Sequence, residues 1–203
     1  MKILSINAGK VQSLLEPRDK GGKLVLSAIH KRSVSDLSNP HPKAISLLGL
    51  EGDEQANLDV HGGQDKALYA YPFEHYGFWQ DTLLREAKST TPLEFGAFGE
   101  NLTLEGFKES EVFVGDQWRI ANVLLEVVRF REPCFKFNIK MGWSGAAKAM
   151  IQSKTTGWYL KVLETGSIKA GDTVQVIHGN KEVSVLVQSS SFYARSAQQD
   201  LWS

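Results

Sequence analysis

Short stretches in which apolar and polar residues alternate, each closed by Gly, Asn or Asp, constrain the fold of this chain most. Leu24, Leu26 and Ala28 alternate with Val25, Ser27 and Ile29, Val174 and Val176 flank Gln175, and 124–128 and 182–187 repeat the habit. A period of two belongs to strands, whose successive side chains point to opposite faces. Two segments are variants of one hairpin, 112–120 and 168–177. In each a Gly-Asp pair precedes a strand, because glycine tolerates positive φ and aspartate bonds its own turn backbone. Many short strands of this kind predict a mainly β chain, a closed or nearly closed β-barrel with a few helices.

Two helices are expected to interrupt the strands. Pro72 opens the first, where its missing N–H costs nothing. Phe73, Tyr76, Trp79, Leu83 and Leu84 then share one face and are expected in the core. Truncating Phe73 or Trp79 to Ala should therefore cost about 3–5 kcal/mol. The second helix is expected from about Ser144, with Ala147, Met150 and Ile151 as its buried edge. Residues 1–180 read as one domain, its motifs spanning about 24–178, followed by a C-terminal strand and tail over 181–203.

Composition excludes several functions. The 23 basic and 23 acidic residues balance, which argues against broad attraction to nucleic acid or to an anionic membrane. No stretch approaches the ~20 apolar residues of a membrane span, and the opening MKILSINAGK has no signal-peptide run. The single cysteine, Cys134, excludes an intrachain disulfide framework. A cytoplasmic location is the expectation.

Three segments gather residues suited to chemistry. His61-Gly62-Gly63, ahead of Asp65 and an expected strand over 66–71, offers bare backbone N–H groups beside a polar ring, a nest for an anion. A glycine turn with a surface histidine is the blander reading. Glu100 and Asn101 sit between a glycine turn and an apolar strand start. In Arg129-Phe-Arg-Glu-Pro-Cys-Phe-Lys136, Pro133 stops a strand and presents Cys134 at a strand-to-loop corner. Arg129, Arg131 and Lys136 around it would favour the thiolate, the form that ligates metals or attacks electrophiles. A lone cysteine packed as a small hydrophobe is the alternative.

Taken together the motifs resemble the MOSC family, named after the C-terminal domain of molybdenum cofactor sulfurase, and within it the free-standing bacterial YiiM-like branch. The residues that carry the resemblance are GLEGDEQ at 49–55, VHGGQDKAL at 60–68, YPFEHY at 71–76, FGENL at 98–102, VGD at 114–116 and REPCFK at 131–136. The resemblance implies a β-barrel holding a molybdenum-pyranopterin, with Cys134 as a thiolate ligand to the metal. It implies that Lys31 and Ser33, in a Lys-x-Ser segment, bind the cofactor's anionic end. It also places His61, Gly62, Gly63, Asp65, Asn101 and Arg131 around the pocket. The YiiM-like branch often continues into a helical module. Only about two dozen residues follow Gly179 here, too few for a bundle of helices.

Two functions follow from the resemblance. The first is a molybdenum-dependent oxidoreductase reducing N-hydroxylated small molecules, such as N-hydroxylated nucleobases or amidoximes, with Asp65 or His61 relaying a proton. One cysteine cannot hold an iron–sulfur cluster, so electrons would come from a separate donor of the flavodoxin or ferredoxin type with its reductase. The second is a carrier of sulfur or cofactor, in which Cys134 bears a persulfide or thiolate without small-substrate turnover. A zinc or nucleophilic-cysteine hydrolase lacks ligand supply, since five scattered histidines and one cysteine give no metal-ligand spacing. Lys31 and Arg131 are expected to be exposed cations, whose loss would lower cofactor occupancy without unfolding the chain.

Overall fold

The computed structural model describes residues 1–15, 24–56 and 62–199, with side chains as far as Arg195. Along the chain the strands are β1 (Lys2–Ala8), β2 (Gln12–Ser13), β3 (Leu26–Ser27), β4 (Arg32–Asp36), β5 (Lys43–Ser46), β6 (Gly49–Leu50) and β7 (Leu68–Pro72). Helix α1 (Tyr76–Glu86) precedes β8 (Leu102–Glu105), β9 (Gln117–Ile120) and β10 (Val123–Phe130). Then come α2 (Phe135–Met141), α3 (Ala146–Ser153), β11 (Trp158–Glu164), β12 (Gly166–Ile168), β13 (Gln175–Ile177) and α4 (Val185–Gln199).

Eight strands form one sheet in the order β13-β9-β10-β11-β7-β8-β1-β4, antiparallel throughout except for β7 beside β8. Register shifts in β1 and β10 bend these strands, as an extra unpaired residue does. The sheet curls until its first edge returns to β1. Ile3 N donates to Asp172 O at 3.1 Å, Gly171 N to Ile3 O at 2.8 Å and Val174 N to Met1 O at 3.2 Å. Gly171 sits at φ +89°, a conformation an L side chain rarely adopts. The Gly-Asp turn before the last strand therefore closes the barrel, as the sequence pattern predicts.

Strand β7 shows how the alternation builds two cores. Leu68 and Ala70 point into the barrel with Trp118, Leu125 and Trp158. Tyr69 and Tyr71 point the other way and pack with Trp79, Phe98, Phe137 and Met150 under the helices. Both faces of the strand are buried, so period two sorts its side chains between cores.

Several sequence expectations need correction. In the first helix Tyr76, Trp79 and Leu83 are buried, but Phe73 is 40% and Leu84 50% exposed. Phe73 lies in a 3₁₀ turn ahead of α1, out of phase with the buried face, and packs at a tilt against Tyr76 and Phe95. In α3 the fully buried residues are Ala146 and Met150, with Ala147 and Ile151 only partly covered. Where a strand over 182–187 and a tail were expected, residues 185–199 form the helix α4. Ser184 caps it, its hydroxyl accepting from Val187 N at 3.2 Å. Val185 and Ser189 are buried at i, i+4 spacing, with Tyr193 against Phe130 one turn later. Three consecutive serines hide that helical stripe.

Candidate active site

Strand β10 ends at Phe130, and Pro133 has no N–H with which to extend a ladder. The chain stays extended at Cys134 (φ −123°, ψ 178°) and enters α2, in which Phe137 and Met141 are buried at i, i+4 and Gly142 in the left-handed region ends the helix. Cys134 is half-buried in a pocket lined also by Lys31, Asp53, Tyr69, Asn101, Arg131 and Tyr159. Gln188 on α4 braces this corner, accepting from Phe130 N at 2.8 Å through Oε1.

Arg131 is buried at 6% exposure. Its guanidinium lies 4.7 Å from the Phe137 ring centroid and 5.3 Å from that of Tyr69, and Nη1 is 3.0 Å from Met150 Sδ. Among the described residues no carboxylate pairs with it. Burial works against its charge, but Tyr69, Tyr159 and Cys134 outweigh it and hold the group above its ordinary value. Burial in turn raises the Tyr69 and Tyr159 phenols. A buried cation without a counter-anion is costly unless a ligand supplies one.

Of the other two cations expected around Cys134, Lys136 lines the pocket with it, and each has a partner of its own. Arg129 pairs with Glu132, and Lys136 Nζ donates to Leu26 O at 2.9 Å. Arg131 is the one of the three that is buried among aromatic rings, and it shares the lining of the pocket with Lys136.

Across the pocket Lys31 is buried as well, its Nζ 2.5 Å from each oxygen of Asp53. Burial lowers its affinity for the proton, and Asp53 works to restore it. Asp53 also accepts from Gly9 N at 2.8 Å and Asn101 Nδ2 at 2.9 Å. Asn101 Oδ1 accepts from Tyr69 N at 3.1 Å, so one buried amide ties β7 to the carboxylate. Glu100 beside it is fully buried, accepting from Gly96 N, Phe98 N, Thr103 Oγ1 and the Tyr76 hydroxyl. Burial raises its carboxyl above the ordinary 4.5. The expectation that Lys31 and Arg131 are exposed is therefore wrong, because both are enclosed where strands meet the helical layer.

Cys134, Arg131, Lys31 and Asn101 thus meet in one pocket. Ser33 does not line it; its hydroxyl is 2.8 Å from Ser5 Oγ and 3.3 Å from Asp36 Oδ2. Asp65 lies outside the lining, its side chain 68% exposed and 3.6 Å from Lys161 Nζ. Gly62 and Gly63 also lie outside, though Gly63 N donates at 3.0 Å to Gln55 Oε1, and Gln55 lines the pocket. His61 lies outside the described residues. Sequence reasoning missed Asp53, Tyr69 and Tyr159. Asp53 stood in a quoted motif, but nothing in the sequence says that its turn faces Lys31.

The family model described as MOSC domain matches residues 57–175. YflK of Bacillus subtilis, an uncharacterized protein, is 38% identical over 186 residues, covering 90% of this chain and 76% of that one. A Gibberella moniliformis protein named Reductase is 33% identical over 178 residues, 86% of this chain, which spans only 29% of that protein. The crystal structure of YiiM from Geobacillus stearothermophilus superposes with a TM-score of 0.73 at 30% identity, covering 96% of this chain and 84% of that one.

Proposed function

Because the chain belongs to the MOSC domain family, we propose that it binds a molybdenum-pyranopterin at the Cys134 pocket and reduces N-hydroxylated small molecules with electrons from a separate donor protein. The observation that carries this reading is a half-buried thiol beside a buried guanidinium that has no carboxylate partner among the described residues. A thiolate is a suitable soft metal ligand, and an unneutralised arginine suits the anionic part of a cofactor. The Reductase name of the fungal relative supports redox chemistry over simple carriage.

In this reading Cys134 Sγ is the protein ligand to the metal, and Arg131 meets negative charge while Tyr69 and Tyr159 exclude water around it. Lys31 does not offer a free charge. It fixes Asp53, which with Asn101 sets the opposite wall. When bound, the cofactor supplies a two-electron centre able to accept the substrate's oxygen; the protein binds and orients it. The single cysteine leaves the electrons to another protein, of the flavodoxin or ferredoxin type with its reductase.

The test is reduction of an amidoxime by protein purified from a host competent in cofactor synthesis, supplied with a donor chain. Cys134→Ser should stay folded, lose turnover and retain some pterin through Arg131. Rates near the parent's would remove the thiolate from the metal. Full cofactor loading without turnover on any N-hydroxylated compound would favour the carrier role.

A further inference from the structure

A second recess lies on the far side of Lys31, walled by residues 8–12, the segment 30–34, the 89–97 loop and the end of α2. Lys10, His30, Lys31, Arg32 and Lys140 line it, with Glu94 the one carboxylate among its described lining residues and the buried Glu100 also acting on Lys140. Two of these cations are neutralised, Lys10 by Glu54 at 3.1 Å and Lys31 by Asp53 at 2.5 Å. The other groups are not. Lys140 Nζ lies 3.3 Å from His30 Nδ1, and among the described residues neither Arg32 nor Lys140 forms an ion pair.

An ammonium can sit against an imidazole nitrogen only if the ring is neutral and accepts its hydrogen bond. Burial, Lys140 and Arg32 together hold His30 below its ordinary value, in keeping with that contact. The cleft therefore collects a guanidinium fork, an ammonium and an imidazole with little acid to balance them. A carboxylate offers two oxygens, fewer than this donor set can engage. A phosphate monoester offers three terminal oxygens and up to two charges.

We propose that this cleft is a subsite for the phosphate group of a small molecule separate from the cofactor, held by Arg32, Lys140 and His30. The Cys134 pocket and this cleft share Lys31 in their linings, so the ligand would lie back to back with the pocket across that side chain. The subsite stands whether or not the molybdenum reading does, because Arg32, Lys140 and His30 do not line the Cys134 pocket.

Calorimetric titration of the full chain with inorganic phosphate and with adenosine 5′-monophosphate tests it, first on cofactor-free and then on cofactor-loaded protein. Saturable binding is expected in both, weakened about tenfold or more by Arg32→Gln and by Lys140→Gln, the loss of one charge-assisted contact each. Lys148→Gln, at an exposed position outside the cleft, should leave it unchanged. In the parent, with no substitution, the His30 ring resonances should move on phosphate addition. Binding indifferent to Arg32 and Lys140, or a His30 ring unmoved at saturation, overturns the subsite. Phosphate binding that disappears in cofactor-loaded protein also overturns it, by assigning these cations to the cofactor's own anionic end.

Discussion

Lys31 and Arg131 line one pocket and are both buried, yet their charges are balanced in opposite ways. Lys31 has a carboxylate at 2.5 Å, and that carboxylate is held in turn by Gly9 and Asn101. Arg131 has aromatic faces and a thioether sulfur, and no carboxylate among the described residues. A paired buried cation is part of the framework; an unpaired one is what the proposed cofactor site calls for. Charge and burial alone would have made them equivalent anchors, and only the partner separates their roles.

Asp53→Asn breaks the comparison most severely. It leaves Lys31 buried with no counter-anion, so unfolding free energy should fall by about 3–5 kcal/mol, read by urea denaturation. A loss under 1 kcal/mol would mean that Lys31 escapes to water and that the paired wall is not structural.

The paired side also carries a pH dependence through Glu100. Burial raises Glu100 above its ordinary 4.5, so the folded state holds its proton more tightly than the unfolded chain does. Its contribution is fully present below 4.5 and is lost as pH rises through the folded value. Glu100→Gln, compared with the parent in urea midpoints at a series of pH values above 4.5, should remove that part of the slope. Parallel curves would show that the carboxyl titrates alike in both states.

Arg131→Met should change stability least, within about 1 kcal/mol of the parent, because lost cation–π contacts are offset by relief of a buried charge. The same variant should lose most cofactor occupancy. A large stability loss with occupancy intact would reverse the two roles.

Much of this architecture was legible in the sequence. The strand over 124–128 and the Gly-Asp turns carried the barrel, and Pro133 presented Cys134 at the corner where the structure has it; the alternation over 24–29 survives only as the two-residue β3, outside the eight-stranded sheet. Partnership was not legible. Lys31 and Asp53 are 22 residues apart, and no local pattern tells a neutralised lysine from a free one. The C-terminal helix is hidden because Val183, Val185 and Val187 alternate like a strand, although Ser184 is a residue suited to cap a helix. Helical spacing puts Phe73 in the core only if the helix runs unbroken, and a 3₁₀ turn at 73–75 changes the phase.

Molybdenum content of the chain purified from a cofactor-competent host, for the parent and for Cys134→Ser, tests the central claim most directly. The account predicts close to one metal per chain in the parent and little in the variant, with both equally folded by circular dichroism. Metal-free parent protein, or equal metal in the variant, would contradict it.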